Sequence, residues 1–217
     1  MSPKSSRVRQ TRPAKPSLPD DYRQLLVTGD YHLNVKVSLD ADYDDEDARR
    51  VAQHLNGSIQ IKFTNPETEE SDSIEIGYIW GWRTTSFEPE EIIYWADSVD
   101  QDVYNAFDWL IYQQKQLDLE EVLISPTLLL DRVFIEPEWR GNKFALPAVV
   151  TYLDLVAYKF VFLFPSPPDK SESSSQECKR RQKLLKQYWQ KLGFDNYDRK
   201  HNVLWTDEWN CPTWLRG

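Results

Sequence analysis

Leu128–Ala145, LLLDRVFIEPEWRGNKFA, decides how this chain is read. Its apolar start predicts a buried strand over Leu128–Glu136. Pro137 and Gly141 then turn the chain into a helix over Phe144–Tyr158. Pro147 falls in that helix's first turn, where a missing N–H costs little. A strand that delivers free backbone N–H groups to a helix N-terminus is a physical recipe for holding a phosphate. Arg140, Gly141, Asn142, Lys143, Phe144 and Ala145 form that loop, and a phosphate-bearing ligand is the first expectation.

Working outward, Tyr31–Leu39 alternates apolar and polar residues as a strand does. Asp44–Leu55 reads as a helix, with acids in its first turn and Asn56-Gly57 as its stop. Ser58–Thr64 and Ser73–Arg83 read as two strands joined by a hairpin connection over Asn65–Asp72. Pro89–Ala96 and Asp100–Gln116 read as helices, the second with Val103, Phe107, Leu110 and Ile111 on one face. Lys159–Phe164 is a short apolar strand, buried on both faces. The Pro- and Ser-rich stretch 165–176 reads as a flexible loop. Glu177–Leu192 is an amphipathic helix stopped by Gly193, and Asn202–Thr206 is a last strand. This order predicts an α+β (mixed α/β) domain around a mostly antiparallel sheet with helices on both faces. It spans residues 21–217 and carries a helical insertion at 89–116.

The net charge is −9 but uneven. Residues 1–16 hold five basic residues and no acid, leaving 21 basic against 35 acidic residues in the remainder. With Pro3, Pro13, Pro16 and Pro19 interspersed, residues 1–20 read as a disordered basic arm. A solvated tail is the plainer reading of that arm; it could touch nucleic acid or a membrane surface, and the acidic body argues against nucleic acid elsewhere. No apolar run approaches the roughly 18 residues of a membrane span, and no apolar signal segment opens the chain. Cys178 and Cys211 lack metal-ligand spacing, so a reduced cytoplasmic protein without a metal is expected.

The histidines, His32, His54 and His201, belong to no cluster with metal spacing, and His201 sits in a charged turn where solvent exposure is the default. Hydrolase, zincin and P-loop motifs are absent. Tyr78, Trp80 and Trp82 share one face of their strand. They read as sheet core more readily than as the wall of a substrate cleft.

Two segments together carry a resemblance. IEPEWRGNKFA after an apolar strand, and YWQKLGF some 50 residues later, resemble the GCN5-related N-acetyltransferases. The strand SDSIEIGYIWG resembles the one preceding that family's cofactor strand. The resemblance implies the family's acyl-coenzyme A acyltransferase fold and acetyl-coenzyme A as co-substrate. It assigns the coenzyme to Val133, Ile135 and Arg140–Ala145, with the pyrophosphate on the loop amides and the backbone N–H near Ile135 polarising the thioester carbonyl. Lys143 stands where the family carries a glycine, a position a lysine could fill while its φ stays negative. Trp189 stands where many members carry a thiolate-protonating tyrosine, which leaves the thiolate to solvent or, in a shifted helix, to the neighbouring Tyr188. A glutamate that serves as base in one branch matches Leu129. Asp131, two residues on and on the same strand face, is the nearest carboxylate, though it reads more plainly as a partner of Arg132 or of an edge residue, and Glu136 is another, better read as a turn residue.

The implied reaction is acetyl transfer to a small-molecule or protein amine by direct attack. The acids of the insertion (Glu88, Glu90, Glu91, Asp97, Asp100, Asp102 and Asp108) favour a cationic acceptor. The alternative is a catalytically inactive relative serving as an acyl-coenzyme A-binding or protein-interaction module. Either form leaves room for a homodimer.

Overall fold

The computed structural model describes residues 20–28, 31–40, 50–64, 71–113, 115, 117–156, 159–166 and 175–215. The basic arm before Asp20, residues 44–49 of the expected helix, residues 65–70 of the expected hairpin connection and residues 167–174 of the expected loop lie outside them. In chain order the elements are α1 (Asp20–Thr28), β1 (Tyr31–Asp40), β2 (Ala52–Thr64), β3 (Ser71–Thr84), α2 (Pro89–Val99), α3 (Gln101–Asp108), α4 (Leu119–Leu123) and β4 (Leu128–Ile135). They continue as α5 (Ala145–Val156), β5 (Val161–Leu163), α6 (Ser175–Gln190), β6 (Asn196–Asp198) and β7 (Val203–Thr206). The strands form one seven-stranded sheet in the order β1-β2-β3-β4-β5-β7-β6, antiparallel throughout except for the parallel pair β4–β5. The mixed α/β class and the mostly antiparallel sheet are therefore as expected. No helix among the described residues is long and apolar enough to cross a membrane.

Two cores lie on opposite faces of the sheet. Under α5, Ile59, Ile61, Ile76, Ile79, Leu128 and Leu130 pack with Val149, Tyr152 and Leu153. On the other face, Trp95 of α2 and Phe107 of α3 pack over Leu129, Phe162 and Trp205. Within each regular stretch of strand, alternate residues face opposite sides of the sheet, as the pleat requires, and register shifts in the β2–β3 and β3–β4 pairs interrupt the alternation. The expected insertion at 89–116 thus becomes the cover of the second face. Its second helix stays α-helical only to Asp108 and continues as a π-helical turn over Trp109–Gln113.

The expected helix Asp44–Leu55 is corrected over its last four residues. Ala52–Leu55 open β2, where Leu55 pairs with Leu39 and Gly81. Asn56-Gly57 is likewise a strand interior rather than a helix stop. Gly57 is needed there for proximity, because a Cβ at this position would lie 2.8 Å from the Tyr152 ring. That ring crosses the sheet closely enough for its hydroxyl to donate to Leu55 O at 2.9 Å. Helices α1 and α4 and strand β6 are additions to the expected element list.

Candidate functional site

β4 changes character along its length. Leu128 and Leu129 pair with β3 on one side and with Val161 and Phe162 of β5 on the other. Beyond Leu129, β5 supplies no further partner among the described residues. Opposite Trp80 and Gly81 the β3–β4 register shifts, since Arg132 faces Trp80 while Leu130 faces Gly81. Asp131 is the extra residue of a β-bulge. A bulge puts two consecutive side chains on one face and re-aims those that follow. Accordingly Arg132 lies over the Trp80 ring at 5.1 Å, and Phe134 stacks on Tyr78 at 5.2 Å.

Past the bulge the backbone faces an open edge. The Glu136 N–H donates to Ile76 O at 2.9 Å. Alternate residues of an antiparallel pair point away from the partner strand. Val133 and Ile135 consequently direct their main-chain groups toward the side that β5 has left. Ile135 O is taken by Arg140 Nε at 2.7 Å, and the guanidinium lies 5.1 Å from the Phe134 ring. Arg140 therefore ties the loop back to the end of its own strand.

The loop itself is an exposed tip between two buried anchors. Trp139 and Phe144 are buried in the first core, where Tyr22 of α1 lies 5.8 Å from Trp139 and Tyr31 meets Phe144 edge-on at 6.0 Å. Residues 140–143 between them are exposed. Asn142 Nδ2 bonds Trp139 O at 3.0 Å and closes the turn. No acceptor among the described residues takes the N–H of Gly141, Asn142, Lys143 or Phe144. Gly141 has φ +96° and Lys143 φ +64°. The condition of a negative φ at Lys143 is not met. The lysine takes the left-handed conformation a glycine would hold at little cost, and accepts a strain of about 1 kcal/mol. Successive N–H groups around such positions make a concave anion-binding nest.

The proposed catalytic residues are placed apart. Asp131 is half-buried on the Leu129 side of the sheet. Burial pushes its carboxyl above the ordinary value, Asp100 and Asp102 add to the rise, and Arg132 and a Trp82 hydrogen bond oppose it. Tyr188, on α6, meets the Trp189 ring edge-on at 5.3 Å, and burial raises its hydroxyl to about 12. No described interaction joins Tyr188 to Asp131. Glu136 sits in the turn as expected, its carbonyl accepting Trp139 N–H at 2.9 Å.

The aromatic strand face divides between two roles. Trp82 packs against Trp95 at 5.2 Å and belongs to the second core. Tyr78 and Trp80, stacked at 4.7 Å, instead wall a cavity of about 370 Å³ with Lys36, Asn56, Ser58 and Glu75. His201 is also corrected. It is half-buried, with Nδ1 2.6 Å from Asp198 Oδ2. The spacing Asp198-x-x-His201 was its only signal in the sequence. No group of three or more His, Cys, Asp or Glu suited to a metal occurs among the described residues.

Fold and site together define a mixed α/β protein whose central strand opens onto an amide-rich strand–loop–helix junction. Comparison with family models, with curated proteins and with solved structures gave no match.

Proposed function

We propose that this chain is an acyltransferase, moving an acetyl group from acetyl-coenzyme A to an amine. The observation that carries the reading is the edge of β4, free among the described residues, running into the Arg140–Ala145 loop, with N–H groups along both that no described residue accepts. In this reading the loop amides hold the pyrophosphate and the pantetheine arm lies along Val133–Ile135, taking the place of the missing β5 pairing. The Ile135 N–H donates to the thioester carbonyl, whose oxygen gains negative charge as the amine attacks. The C–N bond forms, the C–S bond breaks, and the thiolate leaves. Tyr188 stays protonated at neutral pH and so has a proton to supply to a thiolate. Asp131, its pKa raised by burial, is the base for the amine proton. Asp100 and Asp102 on the same side favour a cationic acceptor. The reading also draws on the acetyltransferase resemblance of IEPEWRGNKFA and YWQKLGF.

A second reading, a binding module without chemistry, is favoured by the separation of Tyr188 from Asp131 and by Trp189 at the position of the expected acid. Calorimetric titration with acetyl-coenzyme A, followed by thioester loss across a panel of polyamines and lysine peptides, separates the two. Binding with acceptor-dependent thioester loss supports the enzyme. Binding without loss supports a coenzyme-binding module, and no heat at millimolar coenzyme removes both the enzyme and the coenzyme-binding module.

A further inference from the structure

The β6–β7 hairpin and the π-helical turn Trp109–Gln113 enclose a second cavity, of about 450 Å³, remote in sequence from the β4 loop. Its size falls within the range of small-molecule sites. Trp109 and Trp205 are both nearly inaccessible, with ring centroids 5.4 Å apart, and supply apolar lining. π-Helical turns are rare and recur at functional positions.

One carboxylate lines this cavity, and it is already saturated. Asp198 Oδ2 accepts Trp109 Nε1–H at 2.9 Å and faces His201 Nδ1 at 2.6 Å. Oδ1 accepts the backbone N–H groups of Lys200 at 2.8 Å and His201 at 3.2 Å. Burial alone would raise this carboxyl, but the bonds from His201, Trp109 and the two backbone N–H groups outweigh it and hold the carboxyl near 2. A carboxylate on Nδ1 fixes the imidazole orientation and leaves Nε2 to meet a ligand.

The cations around it are not matched. Lys115, Arg199 and Lys200 line the cavity and are exposed, and none forms an ion pair among the described residues. Such a concentration of positive charge runs against the sign of the body as a whole. Trp205 adds a buried Nε1–H with no acceptor among the described residues, a group whose desolvation is uncompensated. An apolar lining, a cationic rim and an oriented imidazole are complementary to one kind of molecule.

We propose that this hairpin cavity is a binding site for a small organic anion, an apolar ring or chain bearing a carboxylate or a phosphate. The apolar body lies against the indoles, and the anionic group meets Arg199, Lys200 and His201 Nε2. The site is independent of the coenzyme reading and stands whether or not the chain transfers acyl groups.

The test uses the full-length ¹⁵N-labelled protein and the indole N–H signals of Trp109 and Trp205. Phenyl phosphate, phenylacetate, benzylamine and inorganic phosphate are titrated separately. Saturable movement of both signals with either aryl anion, absent with benzylamine, supports the site, and the tighter of the two anions identifies the anionic group. The double substitution Arg199→Glu, Lys200→Glu lies on exposed side chains and is expected to weaken that binding about tenfold or more. The remaining indole signals report whether its fold is intact. Equal response to benzylamine, equal affinity for inorganic phosphate alone, or unchanged affinity in the double variant would each overturn the proposal.

Discussion

The two halves of β4 are built from similar residues and do opposite work. Leu128–Leu130 is buried and its first two residues are paired on both edges, so it joins the two parts of the sheet. Val133–Ile135 is only half-buried and paired to β3 alone. The difference comes from one inserted residue, Asp131, and from the short reach of β5, not from hydrophobicity. A strand can thus be structural at one end and leave its main chain available for a ligand at the other.

The largest effect should fall on the structural half. Leu128→Ala removes a fully buried side chain from the first core and is expected to cost about 2–5 kcal/mol, read by denaturant unfolding. Val133→Ala should cost clearly less, and equal losses would erase the distinction between the halves. Gly141→Val tests the loop. The space around the glycine is open, but its φ of +96° is one that a β-branched residue adopts only under strain. We expect about 1–3 kcal/mol of destabilisation or a rearranged loop, with loss of coenzyme binding.

Two carboxylates should shift stability with pH in opposite directions. Asp198, held near 2, contributes stability that is present above the ordinary carboxylate value and is lost as pH falls toward 2. Asp131 is raised, so the folded state binds its proton more tightly than the unfolded chain does. Its effect is a loss of stability as pH rises from the ordinary carboxylate value through its folded value. Unfolding curves of Asp198→Asn and Asp131→Asn across acid pH should each lack one of these slopes. The smallest effect is expected at Lys143→Gly. Relief of its left-handed strain should stabilise the fold by about 1 kcal/mol or less while coenzyme affinity is kept.

Much of this was legible from local pattern. The strand, loop and helix of 128–156 announce themselves through apolar runs punctuated by Pro137 and Gly141. Ala52–Leu55 carries a helix signal only through the acids before it and the Asn56-Gly57 after it, and pairing with β1 and β3 decides for strand. The three residues of β6 are too short a run to signal a strand and are one because β7 lies beside them. Asp131 could be recognised as a carboxylate on the central strand. Its role as a bulge depends on the register of β3, which no stretch of β4 encodes alone. The same holds for Asp198, whose Trp109 partner lies 89 residues away.

The central claim is that the open half of β4 and the loop after it form one continuous main-chain site. Backbone amide spectra recorded during titration with acetyl-coenzyme A test it most directly. The account predicts that the amides of Val133, Ile135 and Gly141–Ala145 move together along a single saturation curve, while those of Leu128 and Leu129 hold still. Saturable binding that leaves these amides in place, or no binding at millimolar coenzyme, would contradict it.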